Sequence, residues 1–206
     1  MVLDTLLSSP PVGDLARRLG ALTIEDYENE FRMLGEKMRN SLGPMPGESD
    51  TVCCAGLYPI QKLGMSEFNQ KLIYNIFWAG KVFHEDTTKS FDTQYEKEGR
   101  FYLTNKLLTV IKPLTLVPDG TKAWVYRSSD SWINDGNPTI IIDYAPSVLF
   151  SWWIHDEIRF AGFNDNGTAC YQGIAWAFLG NSLKAPLAYF IIDQVTTARE
   201  PKKKEK

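Results

Sequence analysis

From Trp78 onward, short apolar or alternating runs follow one another with little between them except turn-forming residues, and this texture restricts the fold more than any other feature of the sequence. The runs are WAGKVF (78–83), GRFYLTN (99–105), LLTVIKPLTLV (107–117), KAWVYRS (122–128), PTIIIDYA (138–145), FSWWIHDEIRFAG (150–162), ACYQGIAWAFLG (169–180) and PLAYFIIDQV (186–195). The segments PDG (118–120), NDGNP (134–138), NDNG (164–167) and GNS (180–182) supply the Gly, Asn and Asp that tight turns need for positive φ. Strands joined this way pair with their sequence neighbours. About eight of them, with no helix between most, predict an antiparallel up-and-down barrel or a strongly curved sheet, an arrangement that also removes exposed strand edges.

The first third reads differently. Thr23 can cap a helix in which Ile24, Tyr27, Phe31, Leu34 and Met38 recur every three or four residues and so share one face. GPMPGESD (43–50) breaks that pattern as a loop, and a further helix is expected from near Ser66, with Phe68, Leu72, Ile73, Ile76 and Phe77 on one side. The expected organisation is a helical segment over 1–65 packed on the barrel, a barrel domain over 66–198 and a basic tail over 199–206. At 206 residues the chain suits one sizeable core.

Charge and composition exclude several classes. A net charge of −3 offers no footprint for nucleic acid. The run PKKKEK reads as a solvated tail, with a localisation signal or anionic-lipid contact through Lys202, Lys203 and Lys204 as the alternative. No stretch approaches the ~20 apolar residues of a membrane-crossing helix, and the opening MVLDTLLSSPPVGDLARR is a poor secretory signal, so no integral membrane contact and a cytoplasmic location are expected. Cys53, Cys54 and Cys170 form neither a disulfide framework nor a metal spacing, and NGT (166–168) reads as a turn. With His84 and His155 the only histidines, no metal site is expected; nor is there a dinucleotide, phosphate-loop or nucleophile-elbow motif, so no cofactor is expected either. The sequence sets no oligomeric state.

The chemistry concentrates in SWWIHDEIRFAG (151–162). At a period of two, Trp153, His155, Glu157 and Arg159 fall on one face, and Trp152, Ile154, Asp156, Ile158 and Phe160 on the other. Were the polar row to line a barrel interior, His155 and Glu157 could move protons and Arg159 could hold a carboxylate ligand. Were it to face solvent, it would be a row of weak ion pairs. If the apolar face is the interior one, Asp156 becomes the odd buried acid and needs a partner. Asp143 either caps a turn before Pro146 or points inward as a third acid.

The set FWAGKVF (77–83), Asn105 after a Gly-containing strand, INDGNPTIIIDY (133–144) and HDEIR (155–159) resembles a group of lipocalin-like or fatty-acid-binding-like barrel proteins, with their W-x-G-K-x-F opening, D-G turn before a D-Y strand, and D-E-I-R strand. The resemblance spans 77–192 and says nothing of 1–65. One strand departs from the pattern: GTACYQG (167–173) stands where the group has an aromatic-rich G-L-Y-L-G, so ligand contacts there do not carry over. Trp78 and Gly80 are similar to the element that plugs the closed end of lipocalin barrels, or are simply a core Trp beside a small neighbour. The resemblance implies a lipocalin-like barrel but no particular reaction.

Three functions fit these readings. The first is a binder of a small hydrophobic molecule (fatty acid, terpenoid or polyketide), held by Arg159, Tyr144, Trp153, Trp124, Tyr126 and Asn105. The second is a cofactor-free isomerase, cyclase or lyase acting on such a molecule through His155, Glu157 and Asp143. The third is an interaction module working through the N-terminal helices.

Overall fold

The computed structural model describes residues 13–46, 81–85, 101–105, 122–129, 131–145, 153–178 and 183–193. The helix expected near Ser66 and the run 107–117 lie outside them. The described chain forms helices α1 (Asp14–Gly20) and α2 (Ile24–Asn40) and strands β1 (Lys81–Glu85), β2 (Phe101–Asn105), β3 (Lys122–Ser128), β4 (Thr139–Asp143), β5 (Ile154–Phe163), β6 (Ala169–Phe178) and β7 (Lys184–Asp193).

The strands make one seven-stranded sheet in sequence order, every pair antiparallel, with β1 and β7 at its two ends among the described residues. The protein is thus mainly β with N-terminal helices. Where the connections are described, they carry the turn chemistry their sequences offer. Asn134 and Gly136 take φ of 54° and 65° in the β3–β4 connection, and Gly167 takes 78° in the β5–β6 turn, where side-chain-bearing residues other than Asn and Asp are disfavoured.

Helix α2 begins where the capping pattern predicts. The Thr23 hydroxyl accepts a hydrogen bond from the Asp26 amide at 3.2 Å, Glu25 and Asp26 sit in the first turn, and Lys37 and Arg39 in the last, each sign complementing the helix dipole. Tyr27, Phe31, Leu34 and Met38 are all buried, as their spacing requires. The seven-residue α1 has too little length for a periodic signal and forms by docking. Ala16 and Leu19 are fully buried, and the Gly13 amide ahead of the helix donates to Asp193 at 2.8 Å, a carboxylate also held by Asn164 at 2.7 Å.

The pleat divides the sheet into two faces. On the helix side, Cys170, Ile174 and Trp176 of β6 and Tyr189 and Ile191 of β7 pack against Ala16, Leu19, Tyr27 and Phe31. On the far side, Val125, Ile140, Ile142, Ile158, Tyr171, Phe190 and Ile192 form a second core, joined by Phe83. Residues 41–46 reach around to this far side. Arg127 donates to the Leu42 and Gly43 carbonyls at 3.0 and 2.8 Å, Tyr171 donates to the Pro44 carbonyl at 3.1 Å, and Met45 is buried in the far-side core beside Met38.

Tyr27 joins helix to sheet through the backbone itself. Its hydroxyl sits between β6 and β7 at the Gly173–Phe190 pair, accepting from the Gly173 amide at 2.9 Å and donating to the Phe190 carbonyl at 2.5 Å. Burial, opposed only in part by these backbone hydrogen bonds, holds its phenol well above the usual value, so it stays a donor at all working pH. Tyr27→Phe leaves a buried amide and carbonyl without this partner, and urea denaturation should show a loss of about 1–3 kcal/mol.

Candidate functional site

Strand β5 brings the sequence-singled residues together, and the covering of the sheet decides their roles. His155, Glu157 and Arg159 face the helix side, where they lie beneath α2 and a strap formed by residues 131–138. Cross-strand pairing places them opposite Trp176, Ile174 and Gln172 of β6, and places His155 and Glu157 opposite Asp143 and Ile141 of β4.

Arg159 is completely buried. Its guanidinium forms a two-pronged pair with Asp135 at 2.6 and 2.8 Å, donates to the Phe31 carbonyl of α2 at 2.8 Å and lies 4.4 Å from the centre of the Phe31 ring. It fits only because residue 35 is glycine: a Cβ there would come within 2.5 Å of the guanidinium carbon. Burial by itself would raise the Asp135 carboxyl, but hydrogen bonds from Arg159 and from the Asn137 amide outweigh it and hold the group below the usual carboxylate range.

Glu157 is equally enclosed, with both oxygens occupied: Oε2 accepts from the Ser131 hydroxyl at 2.6 Å and Oε1 from the Trp132 amide. His155 is largely buried. Its ring lies flat against Trp132, centroids 4.1 Å apart and planes 6° from parallel, and Nε2 stands 3.5 Å from Glu157 Oε1. Lys184 places its ammonium 4.2 Å from the centre of the Trp132 ring, and Trp176 meets that ring edge-on.

The remaining candidates divide between the faces. Asp143 is half-buried and its Oδ1 accepts from the Ala145 amide at 2.8 Å, the turn-capping role. In register, Trp124, Asp143, His155 and Trp176 form one row across four strands, and Tyr126 stands one row further along opposite Ile141. Both Trp124 and Tyr126 are half-buried, as is Trp153 at the start of β5. For Asn105 the structure gives the backbone pairing with Lys81 alone.

Tyr144 is separate from all of these. Buried in the far-side core, its hydroxyl donates to Asp156 Oδ2 at 2.7 Å, and Asp156 is itself only 3% exposed. The odd acid of the apolar row thus has a partner, drawn from the residue that follows β4. Trp132, Asp135, Asp156 and Trp176 were not among the expected site residues. Asp135 sits in the segment 134–138 that reads as a turn, and Trp132 lies just ahead of it, whereas the apolar alternation around Asp156 did carry a signal.

Other reactive groups are muted. Burial, and then the nearby Asp193 charge, push the Cys170 thiol up to about 12, so it is no thiolate nucleophile near neutrality. Among the described residues, no three His, Cys, Asp or Glu side chains are placed to share a metal ion, and no helix is long and apolar enough to cross a membrane. No protein family, curated protein or solved structure matches this chain.

Because Asp135 is held below its ordinary value in the folded state, the pair with Arg159 contributes its full stability above the unfolded carboxylate range, near pH ~4, and loses it as pH falls through the lower folded value. Asp135→Asn should therefore cost roughly 3 kcal/mol or more at neutral pH, because Arg159 is left buried without its counter-charge. Denaturation midpoints measured from neutral pH into acid should show the gap between this variant and the native protein closing only at the acid end.

Proposed function

We propose that this protein binds a small hydrophobic molecule, of fatty-acid, terpenoid or polyketide type, against the far face of its sheet, which curls into a lipocalin-like barrel of about eight strands around it. The observation that carries this reading is the Tyr144–Asp156 pair, a hydrogen-bonded polar couple set into a wall of Ile140, Ile142, Ile158 and Phe190. Apolar walls with a few placed polar groups are how ligand sites combine affinity with orientation. The wrap of residues 41–46 over the same side supports it, since that segment gives the far face a second wall.

The acid–base enzyme draws less support. Both carboxylate oxygens of Glu157 and both terminal nitrogens of Arg159 are engaged by the strap and by α2, which leaves these residues as holders of structure rather than as groups facing a substrate. The interaction module draws less as well, because the apolar faces of α1 and α2 are spent on the sheet.

Native mass spectrometry of the protein purified from its own source, followed by organic extraction, is expected to show one apolar molecule per chain. Tyr144→Phe should then weaken rebinding of the extracted molecule about tenfold, the effect of one lost hydrogen bond in a buried site. A chain that carries nothing and takes up no apolar molecule overturns the reading.

A further inference from the structure

We propose that His155 is a proton-operated latch that fastens the Trp132 end of the strap to the sheet. The strap is held at two places by different chemistry. Its far part is fixed by cations that keep their charge at every physiological pH: Arg159 on Asp135, Arg32 donating to the Ile133 carbonyl at 3.2 Å and Arg39 to the Gly136 carbonyl at 3.2 Å. Its near part, Ser131 and Trp132, is held by the Glu157 carboxylate, and His155 is packed against that attachment.

The contact is incomplete in a telling way. His155 Nε2 is buried, faces Glu157 Oε1 at 3.5 Å, and makes no hydrogen bond. A neutral ring offers Oε1 at most an uncharged contact from this atom. With both ring nitrogens protonated, the same atom offers Oε1 a charge-assisted hydrogen bond after a shift of a few tenths of an ångström. The carboxylate that receives it is the one holding the Trp132 amide, and a cationic ring stacks more favourably on the indole. The second buried polar atom without a partner at this end of the sheet, Trp176 Nε1, belongs to the residue that meets Trp132 edge-on, so both flank the same movable ring.

Charged groups of both signs surround the ring. Glu157 lies on the same strand and Asp143 opposite on β4, while from β7 the Lys184 ammonium reaches the Trp132 ring and opposes them. The β6 neighbour, Trp176, is neutral, and on the strap the Asp135 charge is matched by Arg159. Histidine is the side chain whose ordinary charge change falls between about pH 5 and 8, so acidification through that range should tighten Trp132 onto the sheet and a rise in pH should loosen it.

The test is an NMR titration of the ligand-free protein from about pH 8 to pH 5, which leaves the far-face binding proposal out of the readout. The chain has two histidines, so the His84→Gln variant assigns the His155 ring signals. The Trp132 backbone amide and indole resonances are expected to move with the same midpoint as the His155 ring. After correction for intrinsic rates, the amide should become about tenfold or more better protected from exchange at the acid end. His155→Gln, a neutral side chain that still hydrogen-bonds, should abolish that pH response. Trp132 signals that stay still while the His155 ring titrates, or an unchanged response in His155→Gln, overturn the latch. If that variant does not fold, agreement or disagreement of the two native midpoints decides.

Discussion

A guanidinium with no access to water organises the helix-covered side of this protein. Arg159 projects from the centre of β5 and is answered from two directions at once, by the Asp135 carboxylate of the strap and by the Phe31 carbonyl of α2. Taking such a charge out of water costs several kcal/mol, and only near-complete hydrogen bonding compensates for it. The arrangement therefore works as a three-way register lock. Helix, strap and strand must all be in place together, and Gly35 must be there to admit the side chain. A sheet face that alternation alone would leave wet becomes an internal layer.

That layer determines what the other face can be. With the charged row of β5 used to hold the covering elements, the apolar row of the same strand is left to build the second core, and the one acid it contains, Asp156, is satisfied by Tyr144. The sheet therefore carries a structural polar network on one side and the Tyr144–Asp156 hydrogen bond set among aliphatic side chains on the other. The first is an interlock, and the second is the face on which we propose the ligand sits. His155 lies at the margin of the interlock, where its ring stacks on Trp132 and its unpartnered nitrogen meets a carboxylate already in use.

Much of this was written in local patterns. The Thr23 cap and the stripe Tyr27, Phe31, Leu34, Met38 predict α2 because a helix face repeats within a few residues. KAWVYRS reads as a strand with the boundaries that β3 has. The period-two division of β5 is also legible, down to the need of Asp156 for a partner. What covers each face is not legible, because Phe31 and Arg159 stand 128 residues apart and no local pattern reports that they meet. For the same reason the strand alone does not show that the charged row, far from being a wet outer face, lies beneath α2 and the strap. Asp135 was hidden inside a turn signal and Trp132 stood just ahead of it, since NDGNP announces a change of direction and says nothing of the contacts its flanks make.

The isoleucines provide the most direct test, because they mark both faces. Ile140, Ile142, Ile158 and Ile192 belong to the far-side core, and Ile133, Ile174 and Ile191 to the helix-side core. Methyl NMR of isoleucine-labelled protein titrated with dodecanoate, and separately with farnesol, should shift the first group with at least one of the two and leave the second in place. Shifts confined to Ile133, Ile174 and Ile191 would put binding on the helix-covered side and contradict the division of labour between the two faces.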